Sequence, residues 1–397
     1  MPHRARSAAP HLLGLLLAGL SWGAPSPVAS QSIVEEVAQA IPFRHVGPVG
    51  NRVSAVVGVP GDLNTYYAGA ASGGIWRSRD GGHSWEPIFD DHGVQSIGAL
   101  AIAPSNSRVI WAGTGESKVR SNISHGAGVF RSTDGGESWT LMGLEGSGRI
   151  SRIRIHPTDP DIVYVAALGH LYGPQEEKGV FKTTDGGESW ERVLFTDPET
   201  GPSDLWMHPT DPDRLIAGMW TMHIRTWGRW SGGPNDGLYR TDDGGVTWTR
   251  LEGNGLPAGT MGRFGLTGSA DAPNRVYALI ETNSNRDFAP LAEHEGVLWR
   301  SEDFGGSWEM VNADHTLVQR PHYYSRALAA PDDADEVHFL ATGHTVSRDG
   351  GRSITRLGGG SGGDHHAMWI DPEMPERRIV GHDQGVSIST NRGLNWY

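Results

Sequence analysis

Glu116 is the carboxylate best placed for acid–base chemistry in this chain, because it stands beside Arg120 on a glycine-rich stretch. Hydrolysis of a glycosidic bond takes two carboxyl groups roughly 5–10 Å apart, and Asp364 or Glu177 could supply the second. An arginine neighbour also stabilises a purely structural carboxylate. Glu116 is therefore a candidate for catalysis, and a structural Glu116 paired with Arg120 is the competing interpretation.

A second group of residues could bind a ligand by stacking and hydrogen bonding. Trp227 and its neighbouring tryptophans alternate with arginines, and flat aromatic faces beside polar donors suit sugar rings or an extended peptide. Alternatively, these tryptophans fold back and pack the long segment that carries them, since most aromatic side chains are buried for their area. The predicted ligand-binding residues are Arg120, Trp220, Arg225, Trp227, Trp230, His322, Tyr323, Tyr324, Arg326, Asp364, His365 and His366.

Histidines are frequent in the same irregular segments, where a metal site could form if neighbouring segments converge. The residues that could act as ligands are Asp364, His365, His366, His382, His322 and His344. Adjacent histidines are poorly spaced for one metal ion on a strand, because successive side chains point to opposite sides. We therefore predict hydrogen-bonded histidines, with no metal and no cofactor.

A short motif recurs seven times and must position these segments. Its pattern is Ser/Thr-x-Asp-x-Gly-x-Ser/Thr-Trp, and its clearest copy ends the stretch GVFRSTDGGESW at residues 128–139. The last two copies are degenerate, with Ile354 in place of the tryptophan in the sixth and Asn391 in place of the aspartate in the seventh. The aspartate accepts hydrogen bonds from nearby backbone N–H groups, the glycines adopt backbone angles that a side chain forbids, and the tryptophan packs beside the turn. The central residues are Asp80, Asp134, Asp185, Asp243, Asp303, Asp349 and Asn391.

A second repeat alternates with the first, as an apolar strand, a Pro/Asp turn and another apolar strand. One example runs from Ile153 through Pro157 to Ala166. Each pair of repeats predicts four antiparallel strands, A to D, in which the Pro turn joins A to B and the motif joins C to D. Seven such units, 42 to 60 residues apart, predict an all-β, seven-bladed β-propeller, with a solenoid as the alternative.

The strand order assigns the two faces of the propeller. In an up-and-down blade, the A–B and C–D turns lie on one face, and the B–C and D–A loops lie on the other. All candidate ligand-binding residues fall on this second, long-loop face, where function concentrates. The last blade is expected to reach its outer strand only at Trp396 and Tyr397. Either residues 41–47 complete it, or, as we favour, further β-structure followed in a longer protein.

The N-terminus and the composition indicate the compartment. Arg4 and Arg6 precede an apolar run at residues 12–20, and Val28-Ala29-Ser30 resembles a cleavage site, so residues 1–30 are predicted to be a signal peptide and 31–397 the propeller. No other stretch approaches the ~18 apolar residues of a spanning helix. A net charge of −13 disfavours nucleic acid as a binding partner. The sequence contains no cysteine, so it can form no disulfide. We expect a secreted or periplasmic protein.

The seven motifs resemble the Asp-box (BNR) repeat, and the chain resembles secreted bacterial propellers related to sortilin and to xyloglucanase-like glycoside hydrolases. The resemblance covers residues 41–397 and is carried by residues 71–78, 113–116 and 363–372. It implies a carbohydrate on the long-loop face, or else a sortilin-like scaffold for a protein or peptide. An active glycoside hydrolase in the full-length protein is the third possibility. However, Ala71 stands where these enzymes place a catalytic aspartate, and their second catalytic aspartate lies in a second propeller.

Overall fold

The computed structural model describes residues 52–282, 294, 296–358 and 360–397, which form seven antiparallel sheets. Blade 1 contains β1 (Val53–Gly58), β2 (Tyr66–Ala70), β3 (Ile75–Ser78) and β4 (Glu86–Pro87). Blade 2 contains β5 (Ile97–Ala103), β6 (Asn106–Thr114), β7 (Val129–Ser132) and β8 (Thr140–Leu141). Blade 3 contains β9 (Ile150–Ile155), β10 (Val163–Ala167), β11 (Gly179–Thr183) and β12 (Glu191–Leu194).

Blade 4 has an additional short strand. It contains β13 (Thr200–Met207), β14 (Leu215–Arg225), β16 (Gly237–Thr241) and β17 (Thr249–Leu251), and β15 (Gly228–Ser231) pairs with the far end of β14. Blade 5 contains β18 (Phe264–Gly268), β19 (Val276–Ile280), β20 (Leu298–Ser301) and β21 (Glu309–Asn312). Blade 6 contains β22 (Arg326–Ala330), β23 (Asp333–Leu340), β24 (His344–Ser347) and β25 (Thr355–Arg356). Single 3-10 turns lie at Glu145–Ser147 and His315–Val318.

Blade 7 contains β26 (His365–Ile370), β27 (Arg378–His382) and β28 (Gly385–Ser389). Tyr397 exchanges two backbone hydrogen bonds with Ile388 beside this three-stranded sheet, at 2.9 and 3.0 Å. The prediction of an all-β, seven-bladed propeller is confirmed. Residues 41–47, the alternative source of a fourth strand in blade 7, and the predicted signal peptide lie outside the described residues.

The first strand of each blade lies beside the first strand of the next, and β26 lies beside β1, so the ring is closed. Side chains join the last blade to the first: Arg377 donates to the hydroxyl of Tyr66 at 2.6 Å and to the carbonyl of Val59 at 2.9 Å. Apolar cores fill the gaps between blades. The motif tryptophan Trp190 packs edge-to-face on Trp111 of the preceding blade, with ring centroids 6.0 Å apart.

Each Asp box is closed by one hydrogen-bond pattern. In the second box, one oxygen of Asp134 accepts from the Ser132 hydroxyl and the Ser138 N–H at 2.8 and 3.0 Å, and its other oxygen accepts the Ser138 hydroxyl. The N–H of Gly136 donates to the Ser132 hydroxyl at 2.8 Å. The seventh box keeps the backbone part of this pattern with Asn391 in place of the aspartate. The sequence motif is therefore a folded turn, as expected.

The fourth residue of every box holds a left-handed backbone conformation, with φ between 56° and 77°. Five boxes have glycine there, but Phe304 and Arg392 occupy it in the fifth and seventh. The N–H of this residue donates to a carbonyl in the A–B turn of the same blade, at 2.8–3.1 Å in all seven blades. Asp boxes and A–B turns therefore share one face, here called the box face, and the predicted long-loop face is opposite.

Hydrogen bonds also run from each of the first five blades to the next. The residue before the box is Arg77, Arg131, Lys182, Arg240 or Arg300. Its side chain donates to the carbonyl of the fourth box residue in the following blade, at 2.9–3.4 Å. We call these five contacts latches. The corresponding residues of blades 6 and 7 are Val346 and Ile388, which cannot donate.

The boxes predict how stability depends on acid. Hydrogen bonds, first of all from the Ser138 hydroxyl, lower the pKa of Asp134 from 3.8 to about 2, and the pKa of Asp349 is likewise lowered to about 2 by Ser353. Because the folded-state pKa is below the unfolded one, the stabilisation is complete above about pH 4 and is lost as pH falls towards 2. We expect the Tm of Asp134→Asn to fall less between pH 4 and 2 than that of the unmodified protein.

The measurement is a series of thermal unfolding curves at constant ionic strength. Asp91, which is exposed and lies outside the boxes, supplies the control: Asp91→Asn should keep the full pH dependence. An identical fall of Tm for Asp134→Asn and the unmodified protein would contradict the assignment of this acid sensitivity to the boxes.

Candidate functional site

Glu116 lies on the B–C loop of blade 2 and is fully buried. One carboxylate oxygen is 3.1 Å from Arg52 Nη2 and 2.9 Å from Arg120 Nε, and the other is 3.3 Å from Arg120 Nη2. Both oxygens are therefore held by arginines and neither faces solvent. This arrangement fits the interpretation of Glu116 as a structural residue that pairs with Arg120. Ala71 is also fully buried, and its N–H donates to the carbonyl of Arg52 at 2.8 Å.

The loop around Glu116 needs glycine because backbones meet there. Gly115 has a φ of +86°, and a Cβ on it would lie 2.1 Å from the Gly148 carbonyl oxygen and 2.9 Å from Arg149 Cα. Gly126 approaches the same turn, where its Cβ would lie 2.4 Å from the Thr114 carbonyl carbon. The segment at residues 113–116 is thus an interior crossing of three chain segments.

The predicted tryptophan group divides between the interior and the surface. Trp220 is fully buried, and its indole N–H donates to the Ser231 hydroxyl at 2.9 Å, so it packs the blade as the alternative interpretation describes. Trp230 is half-buried on β15. Trp227 is 73% exposed at the tip of the β14–β15 hairpin, which extends from the long-loop end of blade 4.

Two other exposed groups stand near the tip of this hairpin, where Arg225 pairs with Gly228. Arg225 is exposed, and its Nη1 donates to the carbonyl of Tyr172 at 3.1 Å. Tyr172, on the B–C loop of blade 3, is 43% exposed. Ile224 also donates its N–H to the carbonyl of Leu171 at 2.8 Å, which ties the hairpin to that loop. We call Tyr172, Arg225 and Trp227 the loop-face patch.

The segment entering blade 6 turns inward. Tyr323 is buried, and its hydroxyl donates to Asp383 at 2.9 Å, the carboxylate oxygen that His366 Nε2 contacts at 2.7 Å. Tyr324 is buried and its ring stacks on His366 with centroids 5.8 Å apart. Burial lowers the pKa of His366 to about 4. These two tyrosines, predicted as platforms, therefore have no free ring face for a ligand.

His322 is buried as well, and it belongs to an arginine cluster. Its Nε2 is 2.6 Å from Arg229 Nη1, and its carbonyl oxygen accepts a hydrogen bond from Arg263. Burial, reinforced by Arg229, lowers the pKa of His322 to about 3, so the ring is neutral at physiological pH. Its carbonyl also accepts the N–H of Val119 at 3.0 Å, which draws the Glu116 loop over the propeller axis.

The remaining histidines form a separate set between blades 6 and 7. The His344 and His365 rings are 5.5 Å apart, and the His365 and His382 rings are 6.0 Å apart. His365 Nε2 lies 3.0 Å from the Ser361 carbonyl, and Asp364 is half-buried beside it. Among residues 52–282, 294, 296–358 and 360–397, no three His, Asp or Glu side chains are grouped as metal ligands.

A cluster of buried charged residues lies on the propeller axis. The sequence predicts a functional role for Arg326 alone among its members. Asp204, on the inner strand β13, is fully buried; it accepts two hydrogen bonds from Arg152, at 2.6 and 3.0 Å, and forms an ion pair with Arg326 Nη1 at 3.0 Å. Although burial opposes ionisation, these arginines hold the pKa of Asp204 well below its usual range. Lys118 is buried beside them, and burial lowers the pKa of its amine well below the ordinary value. An aspartate inside an apolar strand and alternating arginines in β9 are the signals that could have revealed it.

No helix in the described part of the chain combines the length and the apolar character needed to cross a bilayer. The predicted ligand-binding residues thus separate into exposed, half-buried and buried sets. Arg225 and Trp227 are exposed, and Arg120, Trp230 and Asp364 are half-buried. The buried residues are Trp220, His322, Tyr323, Tyr324, Arg326, His365 and His366.

Known proteins resemble this chain in sequence. The family model of sortilin, neurotensin receptor 3 (Sortilin-Vps10) matches residues 127–256, and that of the BNR-Asp box repeat matches residues 298–311. A xyloglucanase from Paenibacillus sp is 23% identical over 345 residues, covering 78% of this chain and 32% of the relative. The xyloglucanase Xgh74A of Acetivibrio thermocellus is 24% identical over 317 residues, and the match covers 72% of this chain and 35% of the relative. The chain therefore spans about a third of the length of these relatives.

Solved structures share the fold. The GH74 xyloglucanase from Xanthomonas campestris superposes with a TM-score of 0.63 at 17% identity, covering 88% of this chain and 54% of that protein. A structure of YCF48 bound to D1 peptide superposes with a TM-score of 0.55 at 14% identity, and the match covers 88% of this chain and 97% of YCF48. The chain is therefore a seven-bladed β-propeller with Asp-box turns that is similar in sequence to xyloglucanases and similar in fold to a GH74 xyloglucanase and to YCF48.

Proposed function

We propose that this protein is a secreted carbohydrate-binding propeller and that the loop-face patch is its binding surface. The observation that carries the proposal is Trp227, which leaves 73% of its side chain in solvent at the tip of a hairpin built from paired strands. An exposed indole on a rigid element offers a flat face to a sugar ring. Arg225 and Tyr172 supply polar groups beside it.

The sequence relatives support a glucan as the ligand class, since they are xyloglucanases. The surroundings of the predicted catalytic positions favour binding over hydrolysis. Glu116, the predicted acid–base candidate, has both oxygens on arginines, and buried Ala71 has no proton to exchange. An active glycoside hydrolase in a longer protein is a separate proposal, which release of reducing sugar from xyloglucan would support.

The test is retention of the purified protein on immobilised xyloglucan and other glucans. Trp227→Ala should weaken binding at least about tenfold, which corresponds to about 1.4 kcal/mol, because the stacking face is removed. Trp227→Tyr, which keeps an aromatic ring, should retain part of the affinity. Val246, 82% exposed on the box face, gives the control, and Val246→Ala should bind as the unmodified protein does.

A peptide ligand is the second candidate. The Sortilin-Vps10 match at residues 127–256 includes the hairpin that carries Trp227, and the structurally similar YCF48 was solved with a peptide. This candidate predicts a polypeptide that copurifies with the protein and is lost in Trp227→Ala, together with no retention on any glucan. The same purified variants therefore decide between the two ligand classes.

A further inference from the structure

The long-loop end of the axial channel contains a cavity of about 60 Å³. Inner strands of blades 1, 2, 3, 6 and 7 form its walls, and the loop after Glu116 brings Lys118 into it. Three of its lining residues are basic, namely Lys118, Arg152 and Arg326, while none of the lining residues is acidic. In a chain whose net charge is −13, this concentration of buried positive charge is an exception that needs a physical reason.

Asp204 is the carboxylate that pairs with these arginines, and both of its oxygens are already engaged by hydrogen bonds and an ion pair. One of its oxygens accepts Arg152 Nε and the N–H of Leu205, and the other accepts Arg152 Nη2 and the N–H of Leu266 and lies 3.0 Å from Arg326 Nη1. One negative charge therefore faces two guanidinium groups, which stay protonated in proteins. A positive charge remains even if Lys118 is neutral.

In the described part of the chain, Lys118 lacks a neighbouring carboxylate and Arg326 Nε lacks a hydrogen-bond acceptor. Lys118 is 2% exposed, and among the described residues no carboxylate oxygen lies within 4 Å of its amine. The buried Nε of Arg326 has no hydrogen-bond acceptor in the same part of the chain. Because an unsatisfied buried donor destabilises a fold, an acceptor in the cavity would stabilise both groups.

The box face provides a route to this cavity. A wider cavity of about 430 Å³, lined by the A–B turn residues Pro104, Pro209, Pro331 and Pro372, shares Arg152 with the smaller one. Arg154 lies two residues further along β9 and also lines the wider cavity. Arginines therefore mark the path from the mouth of the channel to Lys118, and such a path concentrates anions.

We propose that the cavity bounded by Lys118, Arg152 and Arg326 is a binding site for one small inorganic anion, a halide or a tetrahedral oxyanion. Its volume holds only a few water-sized molecules, which excludes a sugar ring or a nucleotide. The anion accepts hydrogen bonds from the Lys118 amine and Arg326 Nε and balances the charge that Asp204 leaves. This site is independent of the loop-face patch.

The test is the Tm of the purified protein at constant ionic strength, with sodium gluconate, whose anion is too large for the cavity, replaced stepwise by chloride, bromide, sulfate or phosphate at low millimolar concentration. We expect a saturable rise of at least about 3 °C with one or more of the small anions. The anion that saturates at the lowest concentration distinguishes a halide site from an oxyanion site. No saturable rise with any of them would overturn the proposal.

Lys118→Met should abolish the saturable rise, because the anion loses its lysine donor. Lys178 gives a matched control, since it is also a buried lysine but donates to the Glu199 carbonyl at 2.7 Å, away from the cavity. Lys178→Met should keep the rise, and an undiminished rise in Lys118→Met would refute the site. If Lys118→Met does not fold, crystals of the unmodified protein are soaked separately in bromide and in selenate, which give anomalous signals for a halide and for a tetrahedral oxyanion. An anomalous peak beside the Lys118 amine in either soak supports the site, and an empty cavity in both overturns it.

Discussion

Replacing Asp204 with asparagine is expected to lower the free energy of unfolding by about 3–5 kcal/mol, because it leaves Arg152 and Arg326 uncompensated in the interior. The carboxylate is fully buried and accepts hydrogen bonds or ion pairs from both arginines and from two backbone N–H groups. Asparagine keeps the shape but removes the charge. Urea unfolding followed by tryptophan fluorescence, at a fixed anion concentration, measures the loss.

Asp161 provides the control for this experiment. It also pairs with an arginine, Arg131, but half of its side chain is exposed. Exposed ion pairs contribute about 0–1 kcal/mol, so Asp161→Asn should have little effect. If Asp204→Asn also costs less than about 1 kcal/mol, the axial charge cluster does not hold the inner strands together as we infer.

Replacing Gly115 with alanine should cost about 2–5 kcal/mol for two reasons that add. A side chain at a φ of +86° is strained by about 1–2 kcal/mol. Its Cβ would also lie 2.1 Å from the Gly148 carbonyl oxygen, and overpacking against backbone costs about 1–3 kcal/mol. The same unfolding measurement gives the change.

Gly253 separates these two contributions. It too has a positive φ, +64°, but a Cβ added there would meet no heavy atom of a surrounding residue within 4 Å. Gly253→Ala should therefore show only the conformational strain, about 1–2 kcal/mol. Equal losses for the two variants would mean that the loop carrying Glu116 relaxes, and that the crossing at Gly115 is not rigid.

The fold could be predicted because its information is local and repeated. Each Asp box encodes its turn within eight residues, as Ser132, Asp134 and Ser138 illustrate. Seven copies at similar spacing left few architectures to consider. The exceptions are also instructive: Phe304 takes the left-handed position usually given to glycine, and its buried ring packs on His208 with centroids 5.1 Å apart. Tertiary packing there outweighs backbone preference.

The candidate site was less predictable, because sequence assigns a residue to a loop without saying whether the loop turns in or out. Tyr323 and Tyr324 lie in a segment rich in turn-forming and charged residues, yet both are buried against His366. Trp220 and Trp227 are seven residues apart and have opposite exposures. The difference arises because β14 continues into the hairpin, so Trp220 lies within the blade and Trp227 at the tip.

The axial cluster was missed for a related reason. Lys118 stands among polar residues, which is typical of a solvated loop, yet it is buried, and the N–H of the next residue, Val119, donates to the His322 carbonyl from another blade. That contact joins residues about 200 positions apart in the chain. No local pattern encodes such a pairing, although alternate arginines in the apolar strand β9 are a sign of an unusual interior.

The latches have a consequence for how the ring can open. Each reaches forward to the next blade, and their series ends at blade 6, where Val346 replaces the basic residue. Blade 7 instead holds both neighbours with its own arginines, Arg377 towards blade 1 and Arg392 towards Asp332 of blade 6. Blade 7 is thus joined to both neighbours by arginines of its own and not by a latch. Neutralising Arg377 and Arg392 would weaken the contacts of blade 7 with both neighbours and leave the five latches between the first six blades unchanged.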